Sequence, residues 1–199
     1  PHETPYREQW MTLESLASHK ETVLVAGNEL GKDWIAGRAV VLFFLYPQLF
    51  YPSSWVRQVE AMRRPGQSDL LTHTRRVVTT SVKERHLGVL WAEIGAALQT
   101  SRVPLLESQG GPLVVNDLSI KFKEEAEVKK PMNYLIGQTA ADDVSFAGHH
   151  ARYAMFVGDE ISSMRREHYD QAQGWMSKFF GFGNPWPSPF FEGLCRSAA

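Results

Sequence analysis

Two short segments carry residue types suited to chemistry on a phosphate ester. The first, Ala26-Gly27-Asn28-Glu29-Leu30-Gly31-Lys32-Asp33, directly follows a β-branched apolar run. A phosphate-binding loop needs backbone N–H groups turned inward, a glycine where chain and phosphate approach closely, and a lysine that reaches the β- and γ-phosphates. Gly31-Lys32 stands in the right place, with Gly27 to Trp34 around it as the loop and first helical turn. Ala26 and Asp33 depart from the strict pattern, which has Gly and then Ser or Thr, and an ordinary glycine-rich turn fits the same letters. The second segment, Tyr153-Ala154-Met155-Phe156-Val157-Gly158-Asp159-Glu160, is an apolar run closed by two acids. An Asp in that position can hold a Mg²⁺ shell, and the adjacent Glu can polarise an attacking water. Taken alone, such a pair also serves as a helix N-terminal cap. A phosphate loop upstream and acids at a later strand end are the order that nucleotide hydrolysis requires, which favours the functional reading.

Positioning these groups demands strands that end beside one another and helices that begin there. Residues 22–26 read as a strand stopping at Gly27, with a helix starting near Gly31-Lys32. A second strand is expected at 76–80, followed by a helix over 83–99 that places Leu87, Leu90, Trp91, Ile94 and Leu98 on one face. Residues 113–115 and 118–122 read as a hairpin turning at Asn116-Asp117. Further strands are expected at 133–137, 153–157 and 177–182, with a helix over 163–174. This alternation predicts an α/β fold with a mainly parallel central β-sheet flanked by helices. The mixed charge run at 121–130 reads as a solvated loop or helix face. Pro185, Pro187 and Pro189, spaced by two, predict an extended exit segment and no helix.

Composition narrows the class. The 199 residues are 43% hydrophobic and 22% charged with a net charge of −1, which predicts a folded globular chain and argues against a surface that grips nucleic acid everywhere. The lone Cys195 cannot form an internal disulfide, suits a reducing compartment, and has no visible catalytic partner. The apolar stretch from Ala39 to Leu45 is bounded by Arg38 and interrupted by Pro47, far short of the ~20 residues of a spanning helix, and reads as a buried helix. The first five residues lack the blocks of a secretory signal. His149-His150 invites a metal reading, but neighbours in an extended chain point apart and no third ligand has suitable spacing, which favours a positional role.

Over most of its length the sequence resembles the ATPase domain of the large terminase subunit, the DNA-packaging motor of tailed bacteriophages and related prophages. Besides the two nucleotide segments, the resemblance rests on Val77-Val78-Thr79-Thr80-Ser81 leading into Leu90-Trp91-Ala92-Glu93-Ile94, on Ser145-Phe146-Ala147-Gly148-His149-His150-Ala151, and on Gly183-Asn184-Pro185. It implies a P-loop NTPase of the ASCE/RecA-like type, with residues 1–20 on the adenine side, 21–184 as the ATPase core and 185–199 as the exit segment. It implies binding of ATP with Mg²⁺: Lys32 on the phosphates, Asp159 on the metal and Glu160 activating water. Gln9 would read the adenine edge while Tyr6 or Trp10 packs on the ring; an N-terminal aromatic anchor is the other reading of Pro5-Tyr6-Arg7-Glu8-Gln9-Trp10. Asn184 falls where the family senses the γ-phosphate, although Asn-Pro also makes a plain turn. Asp33 replaces the hydroxyl that normally binds Mg²⁺ and is expected to bind the metal itself, directly or through water.

An arginine of the same or a neighbouring subunit commonly stabilises the charge developing on the γ-phosphate. Arg75, Arg76, Arg85, Arg102 and Arg152 are candidates, with Arg85 and Arg102 favoured because they flank the helix after the second strand. The implied function is translocation of double-stranded DNA into a procapsid, with other terminase subunits in a ring, a small subunit and the portal as partners, in the host cytoplasm and without a membrane. The nuclease domain of a full large terminase is expected to be absent. The alternatives are a helicase-like translocase and a nucleotide-binding assembly protein that does not hydrolyse.

Overall fold

The computed structural model describes residues 4–27, 30–61, 73–140 and 146–197. Its strands are β1 (Glu21–Val25), β2 (Arg75–Ser81), β3 (Leu113–Asn116), β4 (Ser119–Phe122), β5 (Tyr134–Thr139), β6 (Tyr153–Asp159) and β7 (Lys178–Gly183). They form one sheet in the order β1-β7-β6-β2-β5-β4-β3. The first five in that order are parallel, while β4 runs antiparallel to β5 and β3 to β4. Val25, Gly183, Asp159, Ser81 and Thr139 therefore all stand at one edge, the carboxyl ends of the parallel strands. The sheet is the expected mainly parallel one.

The helices are α1 (Arg7–Ser18), α2 (Lys32–Leu45), α3 (Ser53–Ala61), α4 (Glu84–Gln99), α5 (Arg166–Gln173) and α6 (Pro189–Ser197). Alternate residues of the central strands feed two cores. Val77, Met155, Val157 and Phe180 pack with Val40, Phe44, Leu90 and Ile94 of α2 and α4. Val78, Ala154, Phe156 and Phe179 instead join Tyr169 and Ala172 of α5 and Phe191 and Leu194 of α6. Period-two alternation sends neighbours to opposite faces, and burial of both faces explains why these strands read as continuous apolar runs. In α2, Ala39, Val40, Val41, Phe43 and Phe44 are buried, so the most apolar stretch is the buried helix it was expected to be. No helix among the described residues is long and apolar enough to cross a membrane.

The structure corrects three expectations. The tail is not wholly extended: α6 begins at Pro189, where the missing N–H of proline costs nothing in a first turn, and it buries Phe191 and Leu194. The helix expected over 163–174 divides into a 3₁₀ turn, Ile161–Ser163, and α5 starting at Arg166. The hairpin turns on Asp117-Leu118, one residue later than expected, because Asn116 pairs with Ser119 and Asp117 takes φ 47°. Two helices had no sequence forecast, α1 and α3. Of α1, the buried stripe is only Gln9, Thr12 and Leu16, most of it polar.

Candidate functional site

Gly31 is the N-cap of α2 with φ 66°, a left-handed conformation that favours glycine. A Cβ there would also lie 2.7 Å from Nε2 of Gln9. The next residue, Lys32, is thereby aimed from the first turn of α2 towards the end of β6. Its Nζ lies 3.4 Å from Oε1 of Glu160, and both side chains are largely buried. Strand β7 lies between β1 and β6, so the loop and the acids meet across an intervening strand. That strand ends in Gly183, where a Cβ would come within 3.2 Å of the Glu160 Cα. Glu160 itself takes φ 49°, a strained conformation for a residue with a side chain and one that concentrates at functional sites.

The electrostatics are those of crowded acids around one lysine. Asp159 is 2% exposed, and its carboxyl is pushed up to about 7, first by burial, then by Asp33 and Glu160, against the pull of Lys32. Burial likewise raises Asp33, opposed by Lys32. Together Lys32, Asp33, His86, Asp159 and Glu160 line a cavity of about 160 Å³. A second cavity, of about 210 Å³, meets it at His86 and Glu160 and is lined also by Ser81, Lys83, Asn184 and Trp186. A third, of about 540 Å³, lies between α1 and the end of β1, with Tyr6, Gln9, Thr12, Leu24, Val25 and Leu30 in its wall. It is the most apolar-walled of the three and sits on the side expected to receive an adenine ring. There the Gln9 side chain ties α1 to the loop: its Oε1 accepts the Tyr6 backbone N–H at 2.9 Å and its Nε2 donates to the Gly31 carbonyl at 3.4 Å.

Six buried polar atoms mark the same edge of the sheet. Thr80 Oγ1, Ser81 Oγ, Gln138 Oε1, Asp159 Oδ1, Ser162 Oγ and Asn184 Oδ1 have no hydrogen-bond partner. All stand at or just beyond the carboxyl ends of β2, β5, β6 and β7, where open parallel sheets place their ligands. Native proteins leave few buried polar atoms unpaired, so a cluster of them points to a ligand site. Parallel register brings the two ends together: Ser81 pairs with Asp159 and Thr80 with Gln138.

In fold, the chain is similar to phage large terminases. The HK97 bacteriophage large terminase superposes with a TM-score of 0.56 at 9% identity, over 92% of this chain and 33% of that one. The large terminase from a thermophilic bacteriophage gives a TM-score of 0.50 at 14% identity, over 92% of this chain and 40% of that one. At these identities the likeness is one of fold, and the chain spans only a third to two fifths of either neighbour's length. No family model and no curated protein matches the sequence.

Of the site residues named from sequence, the structure brings Lys32, Asp33, Asp159 and Glu160 together, with Asn184 one cavity away and Tyr6, Gln9 and Leu30 beside the apolar cavity. Gly27 lies exposed at the end of β1, and Asn28 and Glu29 lie outside the described residues. Trp34 turns to Arg38, whose guanidinium stacks 3.9 Å from its ring centroid. Of the five arginines, Arg75, Arg76 and Arg152 stand at the amino ends of β2 and β6, a strand length of about 20 Å from Asp159. Arg75 is engaged by the carbonyls of Phe44, Leu45 and His73. Arg102 lies beyond the far end of α4, about 24 Å along that helix. Only Arg85, exposed in the first turn of α4, is on the site's side.

His149 bonds the Tyr134 hydroxyl at 2.8 Å and sits edge-on to Trp175, a packing role near the start of β6. Cys195 lies half-buried in α6. Among the described residues no three His, Cys, Asp or Glu side chains converge as a metal cage, so a cation beside Asp159 would need oxygens from its ligand or from water. Sequence reasoning missed His86, which lies 3.9 Å from the same Glu160 oxygen that Lys32 meets, Lys83, which lines the second cavity, and the unpaired Thr80, Ser81, Gln138 and Ser162. The polar ending Thr79-Thr80-Ser81 after Val77-Val78 was the available signal.

Proposed function

We propose that the chain is an ATP-hydrolysing P-loop motor domain of the kind that packages double-stranded DNA into a phage procapsid. The observation that carries the reading is the meeting of Lys32 and Glu160 at 3.4 Å across the sheet edge, from a left-handed Gly31 loop on one side and a strained strand end on the other. A lysine at the start of a helix binds phosphate well because its charge adds to the helix dipole and the free N–H groups of the first turn. Lys32 is held by Glu160 in this structure; triphosphate oxygens would compete for it and release the carboxylate. Freed, Glu160 can accept the proton of a water that attacks the γ-phosphorus, while Asn184 offers an amide to that water or to the phosphate.

Asp159 fits a Mg²⁺ that travels with the nucleotide: its Oδ1 is buried and unpartnered, and Asp33 lies close enough to raise its pKa. When bound, the cation supplies neutralisation of charge on the phosphate oxygens. The apolar cavity beside Tyr6 and Gln9 suits an adenine ring, with Gln9 exchanging one of its protein hydrogen bonds for the base edge. The likeness in fold to phage large terminases supports the packaging role, in which a ring of such domains, a small subunit, a portal and duplex DNA are the partners, in a bacterial host. Arg85 is the arginine best placed to act at this edge or on a neighbour's.

Steady-state phosphate release, with and without duplex DNA, tests the proposal. Lys32→Ala and Glu160→Ala should both abolish hydrolysis, with ATP binding lost in the first and kept in the second. Full hydrolysis by Glu160→Ala would remove the assigned role; binding without release in the unaltered, assembled protein would make it a nucleotide-binding assembly protein instead.

A further inference from the structure

The cavity of about 210 Å³ beyond Glu160 is lined also by Ser81 and Lys83, which the nucleotide reading does not use. Its floor is the start of α4, a 16-residue helix whose N-cap, Lys83, makes no side-chain capping bond. The N-terminal N–H groups of such a helix and its positive dipole end favour an anion. An independent observation points to the same ligand. Ser81, two residues earlier, is 1% exposed, lines the cavity, and its Oγ has no partner. Lys83 and His86 add donors from the rim, and Asn184 Oδ1, also buried and unpartnered, adds an acceptor.

The wall also contains the Glu160 carboxylate, which constrains the ligand's chemistry. A fully ionised oxyanion facing Glu160 and Asn184 Oδ1 would meet acceptors with nothing to donate, and like charge with it. Hydrogen phosphate carries acceptor oxygens for Ser81, Lys83 and the α4 terminus together with an O–H to give to Glu160 or Asn184. Sulfate has no such proton near neutrality. We infer that this cavity is a site for inorganic phosphate in a protonated form, reached past Glu160 and His86 from the Lys32 cavity, and so a station for the hydrolysis product before release. The product assignment rests on the ATPase reading above; the site adds no covalent step of its own.

The test titrates the whole chain, without nucleotide, with inorganic phosphate and separately with sulfate, followed by calorimetry and phosphorus NMR. Phosphate should bind, and Ser81→Ala and Lys83→Ala should each weaken it about tenfold, the loss expected for one charge-assisted hydrogen bond, while ATP affinity stays unchanged. Sulfate should bind at least about tenfold more weakly than phosphate. In the hydrolysing protein both variants should raise the inhibition constant of phosphate. Phosphate affinity indifferent to both substitutions overturns the inference, as does its loss only in Lys32→Ala or in strict proportion to ATP affinity. Lys83 is exposed, so Lys83→Ala decides the matter even if Ser81→Ala misfolds. Normal ATP affinity with phosphate indifferent to Ser81 and Lys83 sinks this inference alone; absence of ATP affinity in the unaltered chain sinks the ATPase reading and the product assignment with it.

Discussion

At the amino ends of the parallel strands, buried cations are fully engaged, whereas at the carboxyl ends buried polar atoms stand unpaired. Arg75 at the start of β2 donates to the carbonyls of Phe44 and Leu45, which end α2, and to that of His73. Lys178 at the start of β7 donates to the carbonyls of Leu16, Ala17 and His19, at the end of α1. Asn133, ahead of β5, accepts the Arg75 backbone N–H through its Oδ1, and its own N–H goes to Glu125. Arg75 and Lys178 close helix termini that would otherwise leave carbonyls bare, and with Asn133 they belong to stability. One strand length away, Ser81, Asp159 and Asn184 are equally buried at the polar atom and have no such partners. The contrast separates what holds the sheet together from what awaits a ligand.

Substitutions of the paired groups at one end and of the unpaired groups at the other should therefore move stability in opposite directions. The largest effect is expected at Arg75: Arg75→Met leaves three carbonyls, two of them at buried bonds, without that donor and should cost about 3 kcal/mol in denaturant titration, with ATP affinity intact in the protein that remains folded. A cost below ~0.5 kcal/mol would erase the distinction between the ends. Next comes Gly31→Ala, which meets both a φ of 66° and the Gln9 amide at 2.7 Å. It should lose about 1–2 kcal/mol and weaken nucleotide binding, since Gly31 connects the Lys32 loop to Gln9 and the apolar cavity.

Asp159 sharpens the contrast through pH. Its carboxyl is held near 7 against an ordinary 3.8, so between those values the folded chain binds more protons than the unfolded one. Stability of the metal-free protein should fall as pH rises through that window and level off above it. Asp159→Asn should flatten this dependence and, at pH ~8, raise the metal-free melting temperature by a few degrees while removing Mg²⁺-dependent ATP binding. A melting temperature unaffected by pH in the unaltered chain would show that Asp159 is not penalised there. The smallest effect is expected of Thr80→Val. Removing an unpartnered hydroxyl while keeping its shape should leave stability within about 0.5 kcal/mol or raise it, as no hydrogen bond is lost.

Much of this was legible in the residues themselves. Strands β6 and β7 announce themselves as apolar runs because both faces are buried, β1 and β2 by short β-branched runs, α2 by its apolar stretch after Gly31 and α4 by its apolar face. Lys32 and the Asp159-Glu160 pair are recognisable because each depends on a local segment: a loop before a helix, acids at a strand end. The rest depends on which strands become neighbours. Insertion of β7 between β1 and β6 sets Gly183 against Glu160, and parallel register of β2 with β6 puts Ser81 beside Asp159. Neither relation is written in any window of sequence. His86 escaped notice because a lone histidine in a first helical turn has no local signature. The tail misled for the opposite reason: prolines two apart look like a continuous barrier, yet only Pro189 belongs to α6, at its permitted first position.

ATP hydrolysis as proposed for the carboxyl edge of the sheet depends on Glu160 as the group that activates water. Single-turnover phosphate release from Mg²⁺-ATP by Glu160→Ala, set beside equilibrium ATP binding by the same variant, tests it most directly. The account predicts ATP affinity near that of the unaltered protein and no phosphate released. Release at the unaltered rate, or loss of ATP binding as complete as in Lys32→Ala, would contradict it.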